Sequence, residues 1–526
     1  MTLADFIAPG THDARLHFPE EATATDYGTL WNEAEAMGSL RASVDGSPVA
    51  IALTNTRACL TALVGAIAAG QPLVSVPLPP RGADTNWYSQ FVERICRLSG
   101  ASRLLVDTSL GSTLPPMDSV MVQSFEDVLT ERGRRVFDPG SFSFTQFTSG
   151  STADPKGAVL SGAKIVANLR ALLEWLQPRP GDGTCTWLPL SHDMGLIGMV
   201  LCTLAGIGDA WAGGGHLVLL SPRGFVRNPA SWLAACEEFG STVTAAPNFG
   251  YDMAVLRTGR MHDLRRLRAC IVGAEPIRAG TLERFARVTQ DSGFDATALC
   301  PAYGMAEAAL AVTSTPPGVH WSAAEFQQIA DDPLGKTGIP ASHQVVSCGP
   351  PLPGYEVRID GVGIGEILVK GPSVAASYAD GRPVADANGW FHTRDLGVIR
   401  DGQLYVLGRT DDVFFVAGRN VYALDVEAYA AEVQGVRNGR VVAVPDQGAL
   451  TLVAECEATY RDQPNARRLA IALRERIVAR LGVAPRRVLL AQRGALPLTA
   501  SGKIRRKSLM AALESSQLKV LAGSLE

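Results

Sequence analysis

A loop rich in hydroxyl side chains begins at Thr148 and ends just before a lysine, Lys156. Its glycine permits a tight backbone turn, so hydroxyls and amide N–H groups could wrap phosphate oxygens while Lys156 supplies positive charge. The order of residues is not that of a Walker A loop. Taken alone, the composition also fits a flexible surface turn. The candidate phosphate-binding residues are Thr148, Ser149, Gly150, Ser151 and Thr152.

The elements around this loop alternate between short β-rich runs and helical runs rich in Ala and Leu, beginning with 48–53 and 58–69. This alternation predicts an α/β fold with a largely parallel sheet. A stretch at about 313–346, rich in Pro, Gly, Ser and Asp, is too long for an ordinary loop and is predicted to be an insertion. Short strands after it predict a smaller β-rich subdomain.

We therefore predict two domains. Residues 1–409 would form a large N-terminal domain of layered α/β subdomains plus the β-rich subdomain. Residues 410–526 would form a small, mobile α+β C-terminal domain.

Composition excludes several classes of protein. The 48 Lys and Arg residues against 52 Asp and Glu give a net charge of -4, which leaves no basic excess for a nucleic-acid surface. The apolar run at 194–208 is shorter than the roughly 20 residues that span a bilayer, so no stable membrane insertion is expected. The nine cysteines are scattered without a C-x-x-C pair, which favours a reducing, cytoplasmic location.

The ten residues 148–157 resemble the phosphate-binding signature of the adenylate-forming superfamily, which includes acyl-CoA synthetases, nonribosomal peptide adenylation domains, luciferases and fatty acyl-AMP ligases. Five further segments resemble family motifs in family order. They are Gly-Ala-Glu-Pro at 273–276, Tyr-Gly-Met-Ala-Glu at 303–307, Thr-Arg-Asp-Leu-Gly at 393–397, Gly-Arg-Thr-Asp-Asp at 408–412, and Leu-Pro-Leu-Thr-Ala-Ser-Gly-Lys-Ile at 496–504. The resemblance spans roughly residues 45 to 510.

The resemblance implies an ATP site. Tyr303 would stack on adenine, Glu307 would hold Mg²⁺, and Asp395 would accept hydrogen bonds from the ribose hydroxyls. At position 394 an arginine replaces the usual glycine. The nucleotide-binding residues implied outside the phosphate loop are Gly273, Ala274, Glu275, Tyr303, Gly304, Met305, Ala306, Asp395 and Arg409.

The resemblance also implies the reaction, in which a carboxylate attacks the α-phosphorus of ATP and yields an acyl-adenylate and pyrophosphate. Lys503 would bridge the carboxylate and the α-phosphate, with Glu307 and Lys156 as further catalytic residues. The C-terminal domain would then rotate about Asp411 before transfer to a thiol.

The acid site is implied by two segments that resemble the fatty acyl-AMP ligase branch. His192, within 187–196, would gate the acyl entrance or orient the carboxylate, although a histidine that caps the following helix fits nearly as well. Asn248, Phe249 and Gly250 would line the acid pocket, with Tyr251 as a further candidate; a polar turn is the alternative. The absence of a lone acidic residue there favours an apolar acid, either fatty, aryl or polycyclic.

The acceptor is expected to be the phosphopantetheine thiol of an acyl carrier protein. The run 192–196, Gly-Arg-Asn at 418–420 and the insertion all resemble the acyl-AMP ligase branch. An acyl-CoA synthetase that uses CoA is the alternative. A nucleotide-binding regulator without catalysis is a third hypothesis, against which the retention of Lys156, Glu307, Asp395 and Lys503 argues.

Overall fold

The computed structural model describes residues 1–10, 14–36, 47–79, 84–130, 139–148, 155–209, 215–256, 262–327, 342–416, 419–446, 449–498, 504–515, 517–521 and 524–525. The α-helices within these residues are α1 (Leu3–Ile7), α2 (Tyr27–Ala36), α3 (Arg57–Ala69), α4 (Thr85–Ser99), α5 (Thr108–Gly111), α6 (Phe125–Thr130), α7 (Gly162–Leu176), α8 (Cys202–Asp209), α9 (Pro222–Arg227), α10 (Ala230–Phe239), α11 (Asn248–Leu256), α12 (Ala279–Thr289), α13 (Ala423–Ala431), α14 (Gln463–Leu481) and α15 (Arg506–Glu514).

The strands up to the predicted hinge are β1 (Arg15–Phe18), β2 (Thr23–Asp26), β3 (Val49–Ile51), β4 (Leu73–Ser75), β5 (Arg103–Val106), β6 (Met121–Ser124), β7 (Ser143–Thr148), β8 (Lys156–Ser161), β9 (Gly183–Thr186), β10 (His216–Leu219), β11 (Val243–Ala246), β12 (Ala269–Val272), β13 (Leu299–Gly304), β14 (Ala311–Ser314), β15 (Ala323–Gln327), β16 (Ser342–Val346), β17 (Glu356–Asp360), β18 (Gly365–Lys370), β19 (Ser377–Tyr378), β20 (Phe391–Arg400) and β21 (Gln403–Arg409). Five strands follow: β22 (Val413–Val416), β23 (Arg419–Tyr422), β24 (Val436–Asp446), β25 (Ala449–Cys456) and β26 (Arg487–Ala491).

Two large sheets dominate the part of the chain before residue 400. One has the order β14-β13-β12-β11-β9-β10-β1-β2 and is parallel from β13 to β1, with an antiparallel strand at each end. The other has the order β19-β8-β7-β4-β3-β5-β6 and is parallel from β7 to β6. Strands such as β3, β4, β9 and β11 are buried at every position because helices cover both faces of a parallel sheet. The prediction of an α/β fold with largely parallel sheets is confirmed.

The β-rich subdomain is an antiparallel sheet with the order β17-β18-β20-β21. The predicted insertion begins within regular structure, because β14 pairs with β13 up to Ser314. Its described remainder includes the antiparallel hairpin β15–β16, in which Ala323 pairs with Val346. This hairpin packs on the subdomain, since Val345 of β16 joins a small apolar cluster with Tyr405 and Leu407 of β21.

The chain after the predicted hinge has an apolar core of its own. The main core joins buried residues from Leu3 to Leu404, whereas a separate cluster joins residues from Phe414 to Leu490. The three-stranded sheet β24-β25-β26 and helices α13 and α14 surround that second cluster. We retain the boundary at about residues 409 and 410 as a proposal on this basis.

The apolar run at 194–208 is helical, with a largely buried π-helical part at Met194–Leu201 that continues into α8. Among the described residues, no helix is both long and apolar enough to cross a membrane.

Candidate active site

Most of the predicted site residues of the N-terminal part lie at one edge of the eight-stranded sheet. Strands β9, β11, β12 and β13 run parallel, so their carboxyl ends meet at the same edge. His192 follows β9, Asn248 follows β11, Gly273 follows β12, and Tyr303 lies at the end of β13. The fold therefore brings the proposed acid, adenine and ribose residues to a single crevice.

Asp395, the predicted ribose ligand, is held by the side chains of Tyr303 and Arg409. The Tyr303 hydroxyl donates a hydrogen bond to Asp395 Oδ2 at 2.8 Å. Arg409 Nε lies 3.2 Å from Asp395 Oδ1, because Asp395 and Arg409 are paired across β20 and β21. Burial, followed by the Asp395 charge, raises the pKa of Tyr303 well above its usual value, so its hydroxyl stays protonated and donates. The carboxylate is thus fixed in place, and its exposed fraction of 20% remains open to a ligand.

Glu307, the predicted metal ligand, lies in a short 3₁₀ turn after β13. Its Oε1 accepts a hydrogen bond from the Tyr378 hydroxyl at 3.2 Å. Burial raises the pKa of Glu307, and the negative charge of Asp193 adds to the effect. A half-buried carboxylate that feels the charge of a second carboxylate is a site that a cation would stabilise.

The ends of the phosphate loop are paired. Strands β7 and β8 form an antiparallel hairpin in which Thr148 is directly opposite Lys156. Ser149, Gly150, Ser151 and Thr152, together with the Thr148 side chain, lie outside the described residues, so their predicted contacts stay predictions. The hairpin is tight, because a Cβ on Gly157 would lie 2.8 Å from the Phe147 ring.

The predicted adenine edge is tied to the start of α11. Ala274 has a left-handed backbone with φ of 66°, and the Glu275 carboxylate accepts a hydrogen bond from the Phe249 N–H at 3.1 Å. Asn248 is buried: its amide nitrogen donates to the Pro276 carbonyl, and its Oδ1 accepts from the Arg278 N–H at 3.2 Å. Asn248 therefore joins the adenine segment to the acid-pocket segment.

The aromatic residues beside α11 pack on one another, and Trp187 and Phe225 belong to the core. Trp187 stacks on Phe225 with ring centroids 3.7 Å apart, and Phe249 meets the Trp187 ring edge to face at 5.9 Å. A Cβ on Gly250 would lie 2.8 Å from Trp187 Cζ2, so only glycine lets the indole approach α11 this closely. Tyr251 instead lies in the core, where its hydroxyl donates to the Ile271 carbonyl at 3.0 Å.

His192 lies at the entry to the π-helical segment, with its side chain 28% exposed. Its Nδ1 is 2.6 Å from Asp193 Oδ1 and 3.3 Å from the Met194 nitrogen. The Met194 N–H donates more closely to Asp193 Oδ1, at 2.8 Å. Asp193 is thus the main cap of this helical segment, and the partly exposed His192 ring stays a candidate for contact with the acid.

The hinge residue Asp411 is in a short 3₁₀ turn, Thr410–Asp412, between β21 and β22. Arg394 Nη2 lies 2.5 Å from Asp411 Oδ1. Lys503 lies outside the described residues, but the residues on either side of its loop pair with each other, Leu498 with Ile504.

Comparisons with known proteins fit this geometry. The AMP-binding enzyme family matches residues 8–379 of the chain. The chain belongs to the AMP-binding enzyme family. It is 34% identical over 426 residues to the long-chain-fatty-acid–AMP ligase FadD26 of Mycobacterium bovis, covering 72% of this chain and 71% of that protein. It is 30% identical to the 4-hydroxyphenylalkanoate adenylyltransferase of the same organism, covering 88% of this chain and 81% of that protein.

A solved structure from a study of fatty acyl-adenylate ligases from E. coli and L. pneumophila superposes with a TM-score of 0.84 at 26% identity, covering 98% of each chain. The predicted resemblance to fatty acyl-AMP ligases is therefore confirmed. This AMP-binding enzyme is an AMP-forming acid ligase: it uses ATP to activate a carboxylic acid as its acyl-adenylate.

Three features of this AMP-binding enzyme's site escaped sequence reasoning. Tyr378, the partner of Glu307, lies 71 positions away in the two-residue strand β19 and has no sequence signal. Asp193 was visible as a neighbour of His192 but had no assigned role. Arg394 was noted only as a departure from glycine, with no indication that its side chain contacts Asp411.

Proposed function

We propose that this AMP-binding enzyme activates an apolar carboxylic acid with ATP and transfers the acyl group to the phosphopantetheine thiol of an acyl carrier protein. The observation that carries the activation step is the fixed carboxylate of Asp395, held by Tyr303 and Arg409, with the half-buried Glu307 four positions after Tyr303. The Asp395 carboxylate suits the ribose hydroxyls, and the Glu307 carboxylate suits a cation bound to the phosphates. Together the two carboxylates support an ATP site.

The chemistry follows from two anionic reactants. A carboxylate oxygen forms a bond to the α-phosphorus of ATP while the bond from that phosphorus to the β-bridging oxygen breaks and pyrophosphate leaves. Because no side chain forms a covalent bond, the enzyme's residues act by holding the reactants in line and by placing positive charge around the phosphorus. Lys503 and Lys156 are the proposed sources of that charge.

Mg²⁺ fits the residues at this site. Proteins usually bind Mg²⁺ through one or two carboxylates plus substrate phosphates, and Glu307, with Asp193 nearby, supplies such a set. Within the described residues no group of three or more His, Cys, Asp or Glu side chains forms a separate metal site. When bound, Mg²⁺ would neutralise phosphate charge; Tyr378 would orient the Glu307 carboxylate that holds it.

The proposed acid is apolar because Phe249 is aromatic and is the one residue of the predicted pocket segment 248–250 that is not fully buried. Trp187 packs against Phe249 from the core, and two relatives are named for a long-chain fatty acid and for 4-hydroxyphenylalkanoates. Trp187 Nε1 is buried and has no hydrogen-bond partner in the described part of the chain. Fatty and aryl acids are the classes to test first.

A carrier protein is the proposed acceptor because the insertion hairpin packs against the strand that leads into the hinge. Val345 contacts the cluster of Tyr405 and Leu407 on β21, and Ser347 pairs with Tyr405. A hairpin anchored there would restrict the domain arrangement that CoA needs. We propose that the reaction takes place in the cytoplasm, because its reducing conditions keep cysteines as thiols and the nine cysteines are free and buried.

The test measures acid-dependent exchange between ATP and pyrophosphate over a panel of fatty, aryl and polycyclic acids. Exchange with an apolar acid, with a higher KM for ATP in Asp395→Asn, is the expected result. ATP binding without exchange for any acid would favour the non-catalytic regulator. With the best acid, the purified enzyme is then given CoA or a phosphopantetheinylated carrier protein, and faster acylation of CoA would replace the carrier proposal with an acyl-CoA synthetase.

A further inference from the structure

Arg394 adopts a backbone conformation that normally belongs to glycine. Its φ is 63°, in the left-handed region that side chains disfavour, and the adenylate-forming superfamily usually has glycine at this position. The Arg394 N–H donates to Glu366 Oε1 at 2.7 Å, which fixes the unusual turn. Arginine is sterically unfavourable in this backbone conformation, so we expect its side chain to make a contact that offsets the cost.

The Arg394 side chain reaches the hinge. Its Nη2 lies 2.5 Å from Oδ1 of Asp411, 17 positions along the chain. Both side chains are about half exposed, at 56% and 46%. The strand that carries Arg394 therefore contacts the residue about which the C-terminal domain is proposed to rotate.

The next carboxylate is held from the opposite side of the hinge. Arg506 Nη1 lies 2.7 Å from Asp412 Oδ1, and the same guanidinium contacts Glu427 and the Ala443 carbonyl. Arg506 begins α15, immediately after the loop that contains Lys503. Consecutive hinge carboxylates are thus bound by arginines of different domains.

The base of the lysine loop is fixed within the C-terminal domain. Glu455 accepts hydrogen bonds from the N–H groups of Gly494 and Leu496, at 2.8 and 3.2 Å. Burial lowers the pKa of Arg440 on β24, while the charge of Glu455 and, more weakly, that of Glu275 oppose that effect. Glu275 belongs to the predicted adenine edge, so a charge of the N-terminal part acts on the sheet of the C-terminal part.

We propose that Arg394 is a positioning residue that holds the hinge through Asp411 in the orientation required for adenylate formation. The inference rests on the proposed function. Rotation for acyl transfer breaks the Arg394–Asp411 pair and leaves the Arg506–Asp412 pair intact, because Arg506 travels with the C-terminal domain. Arg394 thereby favours the first step without touching ATP or the acid.

The test compares Arg394→Asn, Arg394→Lys and a control, Arg265→Asn, which removes an exposed arginine–aspartate pair with Asp263 that does not involve the hinge residues. Asparagine tolerates the left-handed backbone but lacks the charge, whereas lysine keeps the charge. Pyrophosphate exchange reports the first step, and single-turnover transfer from preformed acyl-adenylate to a carrier thiol reports the second. Hydrogen–deuterium exchange at residues 410–414 reports the hinge without any substrate.

At low ionic strength Arg394→Asn should lower the kcat of exchange about two- to five-fold, the range for an exposed ion pair, with an unchanged KM for ATP. Arg394→Lys should recover most of the loss, salt at about 0.5 M should remove the difference, and acyl transfer should not slow. Hinge amides should exchange faster in Arg394→Asn than in Arg265→Asn.

Three results for Arg394→Asn would each overturn the inference. They are equal slowing of both steps, a raised KM for ATP instead of a lowered kcat, and unchanged hydrogen–deuterium exchange at the hinge. If the wild-type enzyme is inert toward every acid, the proposed function is rejected. Faster hydrogen–deuterium exchange at the hinge in Arg394→Asn would still support the contact between Arg394 and the hinge.

Discussion

Replacing Tyr303 by phenylalanine tests the ribose site most directly. The change keeps the aromatic ring that would stack on adenine and removes only the hydroxyl that donates to Asp395 Oδ2 at 2.8 Å. A hydrogen bond to a charged group contributes about 1.5–3 kcal/mol. Asp395 is 20% exposed and keeps its contact with Arg409, so water can replace part of the loss and we expect the lower end, about 1.5 kcal/mol.

The hydrogen bond is already made without ATP, so its loss reaches ATP binding only through a less well held Asp395 carboxylate. The KM for ATP in Tyr303→Phe should therefore rise by up to roughly ten-fold, the factor that corresponds to this free energy. The kcat should change little, because the ribose hydroxyls are bound equally in the ground state and the transition state. The assay is acid-dependent pyrophosphate exchange at varied ATP concentrations and saturating acid.

Tyr251→Phe is the matched control. It also removes one tyrosine hydroxyl, which donates to the Ile271 carbonyl at 3.0 Å in the core, away from Asp395. It should lower the free energy of unfolding by about 1 kcal/mol and leave the KM for ATP unchanged. An unchanged KM in Tyr303→Phe, or a ten-fold fall in its kcat at constant KM, would refute the assignment of Asp395 to the ribose.

Three further outcomes are expected. Glu307→Gln should abolish exchange. Because burial raises the pKa of Glu307, the wild type loses stability as pH rises through that pKa, so the substitution should stabilise the free enzyme more at about pH 8 than at about pH 4.5. Thermal unfolding at both pH values checks this. Lys503→Ala should slow exchange about 10²–10³-fold but spare transfer from preformed adenylate, and equal loss of both would count against its role. Gly250→Ala places a Cβ 2.8 Å from Trp187, so it should destabilise the fold by about 1–3 kcal/mol and raise the KM for the acid. In the control Gly280→Ala, the new Cβ meets no neighbouring atom within 4 Å, and neither effect is expected. Calorimetry measures the stability, and titration of the acid in the exchange assay measures the KM.

The contacts that orient the site could not be read from the sequence. Tyr303 and Asp395 are 92 positions apart, and Glu307 and Tyr378 are 71 apart. Each pair meets because elements of different sheets pack beside one another, which depends on tertiary packing rather than on local residue type. For the same reason, proximity in sequence to Phe249 and Gly250 did not reveal that Tyr251 belongs to the core.

The sequence by itself determined the chemistry. A hydroxyl-rich loop with a lysine, an aromatic residue and isolated carboxylates are residue types that suit phosphate, purine, ribose and cations. The resemblance of these segments, in order, to the adenylate-forming superfamily then indicated an AMP-forming acid ligase. Alternating apolar runs likewise determined the α/β class, because period and length are local properties. Only the tertiary structure decided that Arg394, at a position expected to be glycine, would lie in the left-handed region and bind Asp411, since that contact depends on how β20 lies against the hinge.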